Sequence, residues 1–202
     1  MQHLLDTLAS GIHDAKNQLF IAESLIAASE AKHGLDLGEA RYAIEAAAGR
    51  LSRTLAAYRL MRRGAQLAIV PCIVDDLCRE VALAQKQHLA LTGITLDIDC
   101  QVIDEWPLDR DLITDMLNNA VQNAGRFARS RVVLSALATT DGLCLRVEDD
   151  GPGFAELPPR RGTGLLLAER LAELHERNER KGRLHLGNDG ALGGARFELS
   201  LP

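Results

Sequence analysis

Three clusters in this 202-residue sequence have the residue types and spacing to hold a phosphorylated ligand. In Val147-Glu148-Asp149-Asp150-Gly151-Pro152-Gly153-Phe154 an apolar run ends in carboxylates and then Gly-Pro-Gly. So little side-chain bulk lets a ligand lie against backbone, and a carboxylate at a strand end accepts a hydrogen bond from an exocyclic amine. Taken alone, the same residues also read as a plain tight turn. Arg161-Gly162-Thr163-Gly164-Leu165 opens a helical pattern, and free N–H groups at a helix start bind phosphate with help from the helix dipole. Glycines are common at helix starts, so this pair alone also fits an ordinary one. Asp115, Asn119 and Asn123 are spaced by four and share one helical face. An Asn oxygen is a suitable hard ligand for Mg²⁺ beside phosphates. The alternative is an exposed polar stripe, against which Met116, Leu117, Ala120 and Ala124 make the neighbouring positions apolar.

The elements that must position these groups fall into two halves. Residues 1–63 contain no Pro. Leu5, Leu8, Ile12, Ala15, Leu19, Ala22 and Ile26 repeat at alternating spacings of 3 and 4, the seam of a helix packed in a bundle. Residues 32–38 carry the stop signals, with Gly34 suited to end the helix. Ile44, Ala47, Leu51, Thr54, Tyr58 and Met61 repeat the spacing in a second helix from about Glu39. Two helices alone cannot bury stripes on both sides, so the expectation is a homodimer in which two hairpins form a four-helix bundle.

From about Gly64 the pattern mixes strands and helices. Strands are predicted over 67–71, 95–99, 132–138, 143–148, 183–186 and 195–201, and helices over 73–91, 108–126 and 164–180. A sheet layered against helices follows, with domains at 1–63 and 64–202.

Composition excludes several classes. Lys+Arg 23 against Asp+Glu 28 gives a net charge of −5, without the basic stripe of a nucleic-acid binder. No apolar run is long enough to insert in a membrane, and the N-terminus has no signal-peptide pattern. Cys72, Cys78, Cys100 and Cys144 share no CxxC spacing, so they read as buried free thiols of a reducing cytoplasm.

Together and in this order, the clusters carry a resemblance. Asp115-Met116-Leu117-Asn118-Asn119-Ala120 resembles the N box of sensor histidine kinases and of the wider superfamily shared with gyrase, Hsp90 and MutL. Asp149-Asp150-Gly151-Pro152-Gly153 resembles the G1 box and Gly162-Thr163-Gly164-Leu165 the G2 box, while residues 193–202 are similar to that domain's last strand. The resemblance implies a Bergerat-type α/β sandwich binding ATP with Mg²⁺. It assigns Asp149 to the adenine amine and Asn119 to Mg²⁺, with Asp115 part of the same box. Gly151 and Gly153 would permit the nucleotide's approach, and Gly162, Thr163 and Gly164 would bring backbone N–H groups to the phosphates. Asn123 would be a further phosphate or water contact.

Ile12-His13-Asp14-Ala15-Lys16-Asn17-Gln18-Leu19 in turn resembles the H box. It implies that His13 is the phosphorylated residue, a neutral imidazole being a good phosphoryl acceptor near pH 7. Asp14 would orient the ring, Lys16 would offset phosphoryl charge, and Asn17 would place water for dephosphorylating a partner aspartate. The departures are specific. Only seven residues, 155–161, separate Phe154 from Gly162; Leu166 stands where a third glycine is common; and Gln122 is three positions after Asn119, where a basic residue is frequent.

The reading that results is a soluble, dimeric, sensorless histidine kinase. It either takes its signal through a separate sensor protein or is constitutive, and it passes phosphate from His13 to an aspartate of a separate response regulator's receiver domain. The alternatives are a histidine phosphotransferase or response-regulator phosphatase with a degenerate ATP domain, and a serine-kinase anti-sigma factor.

Overall fold

The computed structural model describes residues 15, 18–19, 21–22, 25–26, 29–30, 32–61, 67–91, 93–157 and 163–202. The chain forms two compact units, Met1–Gln66 and Leu67–Pro202.

In the first unit the described residues up to His33 are helical, and helix α1 spans Gly38–Met61. Gly34 ends the first helical stretch in the left-handed region, at φ +63°, with its N–H on the Glu30 carbonyl at 2.9 Å. A side chain is strained at that φ, which is why the stop falls on glycine. Glu30 then fastens the turn. Its Oε1 accepts the Leu37 N–H at 2.8 Å, and its Oε2 lies 3.4 Å from Nη1 of Arg41 in α1.

The second unit is an α/β sandwich. Its elements are β1 (Ile69–Ile73), α2 (Val74–Leu91), β2 (Thr95–Cys100), β3 (Glu105–Asp109), α3 (Arg110–Phe127), β4 (Arg131–Thr139), β5 (Gly142–Asp149), α4 (Thr163–Leu174), β6 (Glu176–Arg177), β7 (Arg180–Lys181), β8 (Arg183–Gly187) and β9 (Arg196–Leu201). The main sheet runs β2-β4-β5-β9-β8, parallel only at β2-β4, and β1 pairs antiparallel with β3. Alternation along the strands buries Val132, Leu134, Ala136, Leu143, Leu145, Val147, Leu199 and Leu201. Leu77, Val81, Ile113, Leu117, Val121 and Ala172 bury the helix side of the same core. On the other sheet face Arg146 stands opposite Glu198, with Nε 2.6 Å from Oε2.

Two features differ from the expected elements. The helix predicted over 164–180 ends at Leu174, and the rest is the hairpin β6–β7. His175 causes the break. Its Nδ1 meets the Leu171 carbonyl at 3.0 Å, the acceptor its own N–H would take in a continuing helix, while that N–H donates to Ala172. Asn178 and Glu179 then both take positive φ (49° and 62°), the twist a two-residue hairpin turn demands. Strand β3 was missed because Pro107 interrupts its pattern. It sits opposite Pro71 in a two-stranded sheet, where missing N–H donors do little harm.

All four cysteines are free thiols; Cys72, Cys78 and Cys144 are buried and Cys100 half-buried. Burial first, and nearby Cys100 second, push the Cys78 thiol up to about 12.

Candidate nucleotide site

The adjacent carboxylates at the end of β5 do different jobs, because side chains alternate along a strand. Asp149 turns inward and is 3% exposed. Its Oδ1 accepts the N–H groups of Gly151 at 2.8 Å and Ala195 at 3.2 Å, and its own N–H donates to the Ala195 carbonyl. With both backbone donors on Oδ1, Oδ2 is the oxygen suited to a ligand's amine. Burial raises the Asp149 carboxyl above its ordinary value, against the lowering effect of the two N–H groups. Asp150 turns to the loop between α3 and β4. Its Oδ1 accepts the N–H groups of Arg129, Ser130 and Arg131, and its Oδ2 the Ser130 hydroxyl at 2.6 Å. These donors, led by Ser130, hold its carboxyl far below the usual range.

The glycines here are required by the protein itself. A Cβ on Gly151 would stand 2.4 Å from the Phe127 carbonyl oxygen, so the end of α3 closes directly on this loop. A Cβ on Gly153, whose φ is +75°, would stand 2.7 Å from Oδ1 of Asn188. A Cβ on Gly194 would meet both the Asp149 carbonyl, at 2.3 Å, and its Oδ1, at 2.4 Å. Gly194 and Ala195 thus complete the Asp149 environment. Their signal in the sequence was the glycine pair before the last strand; Asn188 carried none.

Helix α3 starts on a well-made cap, with Oδ1 of Asp109 accepting the Leu112 N–H at 3.2 Å. Met116, Leu117, Ala120 and Ala124 are buried, as the apolar pattern required. Asp115 and Asn119 are half-buried and Asn123 is exposed. Asn118 is spent on the fold, its Oδ1 accepting from Nε2 of buried Gln85 at 2.8 Å. Phe127 touches Gly151, and Asn123 lies one turn before it, about 6 Å along the axis. Asn119 lies about 6 Å farther back. Thr163 and Gly164 open the twelve-residue helix α4. Gly162 lies outside the described residues, as do His13, Asp14, Lys16 and Asn17.

The arrangement suits a nucleotide: a buried carboxylate for an amine, a loop without side chains beside it, and amide oxygens on the adjoining helix for a hard cation. Among the described residues, no helix is long and apolar enough to cross a membrane.

Residues 108–202 match the family described as histidine kinase-, DNA gyrase B- and HSP90-like ATPase. The chain is 29% identical to the sensor protein kinase CarS of Pseudomonas aeruginosa over 94% of its own length and 44% of that protein's. It is 24% identical to the sensor protein PhoQ of Escherichia coli, over 96% of this chain and 42% of that one. The chain therefore spans less than half the length of these curated relatives. Among solved structures, the Acinetobacter baumannii histidine kinase AdeS shares the fold with a TM-score of 0.65 at 16% identity, over 92% of this chain and 95% of that one.

Proposed function

We propose that this histidine kinase catalytic core, with its ATPase domain over residues 108–202, binds ATP through Asp149 and transfers the γ-phosphoryl group to His13. The phosphoryl group then passes to an aspartate on a response regulator's receiver domain. Residues 1–63 are the dimerisation and phosphoacceptor hairpin, two copies forming the four-helix bundle, and residues 64–202 the ATP-binding domain. The observation that carries this reading is Asp149, a buried carboxylate with Oδ1 held by two backbone donors and a raised pKa. A merely structural carboxylate would gain more from the pairing that Asp150 enjoys.

Phosphoryl transfer depends on positioning and charge stabilisation, so glycines, amides and one carboxylate suffice. Mg²⁺ supplies charge neutralisation at the phosphates when bound, and the side-chain oxygens of Asn123 and Asn119, with Asp115 behind them on the same face, are the hard donors for it. The meeting of Phe127 with Gly151 favours Asn123 for the place nearest the Asp149 loop. That assignment also puts Arg126, rather than Gln122, three positions beyond the metal-facing Asn. Gly162, Thr163 and Gly164 present the start of α4 to the phosphates. At the acceptor, Asp14 orients the His13 ring, Lys16 offsets phosphoryl charge, and Asn17 places water to hydrolyse the aspartyl phosphate of the regulator, releasing inorganic phosphate.

The test is incubation of the purified chain with γ-labelled ATP and Mg²⁺. An acid-labile, base-stable label that is absent from both His13→Gln and Asp149→Asn is expected. ATP binding without label would overturn the kinase reading in favour of the phosphotransferase, and absence of ATP binding would overturn the nucleotide site.

A further inference from the structure

The loop that carries Asp149, Gly151 and Gly153 is fastened from two sides: residues 129–131 hold Asp150, and residues 188–195 between β8 and β9 hold Glu148, Asp149 and Phe154. Ala195 exchanges two hydrogen bonds with Asp149. The Ala191 N–H donates to Oε1 of Glu148 at 3.1 Å. Arg196 anchors the segment's other side through Asp189, Nη2 to Oδ2 at 2.9 Å. Asn188 reaches the far end of the loop: its Oδ1 accepts the Phe154 N–H at 2.7 Å, and its Nδ2 donates to the Phe154 carbonyl at 2.8 Å. Both backbone groups of one loop residue are thereby taken by one amide side chain.

We infer that Asn188 is a positioning residue for the nucleotide site, clamping Phe154 so that the Gly151-Pro152-Gly153 backbone is held open beside Asp149 before nucleotide arrives. The chemistry is specific to an amide. Only a side chain with an acceptor and a donor at this reach satisfies both groups of Phe154 at once. Gly153 is part of the same device: its positive φ turns the chain toward Asn188, and the absence of a Cβ lets the amide lie against it. Holding the loop beforehand removes an ordering cost that binding would otherwise meet. This inference rests on the ATP-binding reading above.

The test is titration of the full chain with Mg²⁺–ATP, comparing wild type, Asn188→Ala and Asn188→Asp. Asn188 is exposed, so neither substitution opens a cavity. Asn188→Ala should weaken binding about fivefold to tenfold, as expected for two neutral hydrogen bonds lost at a solvated site. Asn188→Asp should weaken it further, since an oxygen then faces the Phe154 carbonyl. The effect should fall on KM for ATP rather than on kcat, and Phe154 amide exchange should accelerate in both variants. In a double-mutant cycle, Gly153→Ala should cost less in the Asn188→Ala background than in wild type, because the clash partner is gone. Wild type that binds ATP while Asn188→Ala binds it equally well overturns this inference alone. Wild type that binds no ATP overturns the nucleotide reading and this inference together.

Discussion

The backbone N–H of Asp109 donates to Nε2 of His175 at 3.2 Å, joining the cap of α3 to the residue that ends α4. Because Nδ1 of the same ring meets the Leu171 carbonyl, the proton sits on Nδ1 and the imidazole is neutral. Asp109 meanwhile uses Oδ1 for the start of α3 and Oδ2 for the Ala68 N–H at 2.9 Å. One buried pair thus sets the helix bearing Asn119 and Asn123 against the helix opened by Thr163 and Gly164.

His175 predicts a pH dependence. Burial lowers its folded pKa, with the Leu171 carbonyl and Asp109 opposing. The unfolded chain therefore binds the proton more readily, so stability is full above the unfolded value of about 6.5 and falls as the pH drops below it. Urea unfolding at pH 7.5 and pH 5.5 should show this loss in wild type. His175→Ala should be less stable by about 1–3 kcal/mol at pH 7.5, because the Asp109 N–H is left buried without an acceptor. A pH-independent wild-type midpoint across that window would count against the neutral ring.

Asp149→Asn separates binding from stability. Asn keeps an oxygen for the Gly151 and Ala195 N–H groups but turns a donor toward the ligand's amine. Nucleotide affinity should fall at least about tenfold, equivalent to about 1.4 kcal/mol. The thermal midpoint should stay or rise, because the raised folded pKa means that the charged carboxylate opposes folding at neutral pH. A clear loss of stability with affinity retained would reverse the roles given to Asp149.

Asp150→Asn should behave the opposite way. Its carboxyl is held low by Ser130, Arg131 and Arg129, so its contribution is present above the unfolded value of about 3.9 and lost as pH falls. The variant should be less stable than wild type at pH 7, with the gap narrowing below about pH 4. Nucleotide affinity should change little, which isothermal titration would check.

Gly194→Ala places a methyl group 2.3 Å from the Asp149 carbonyl oxygen. Both neighbours there are backbone or a held carboxylate, so the strain should cost about 1–3 kcal/mol in denaturant unfolding and weaken nucleotide binding as well. Gly193→Ala would meet nothing within 4 Å, so its cost comes from its φ of +78° alone, and it should leave nucleotide affinity close to wild type.

Much of this protein was legible in its sequence, because local chemistry dictates local structure. Alternation at 132–138 and 143–148 marked β4 and β5, the spacing of apolar residues marked α2 and α3, and Gly34 marked a helix stop that its positive φ requires. The order of Asp115 to Asn123, Asp149 to Gly153 and Gly162 to Gly164 carried the family resemblance that implied a nucleotide site. Tertiary structure decided the rest. Which of two adjacent carboxylates turns inward depends on which face of β5 meets the helices, a question settled by packing. The reason for Gly151 and Gly194 lies in the approach of Phe127 and Asp149 from other elements. His175 and Asn188 carried no pattern, because their partners, Asp109 and Phe154, stand 66 and 34 residues away and meet them only when the chain is folded.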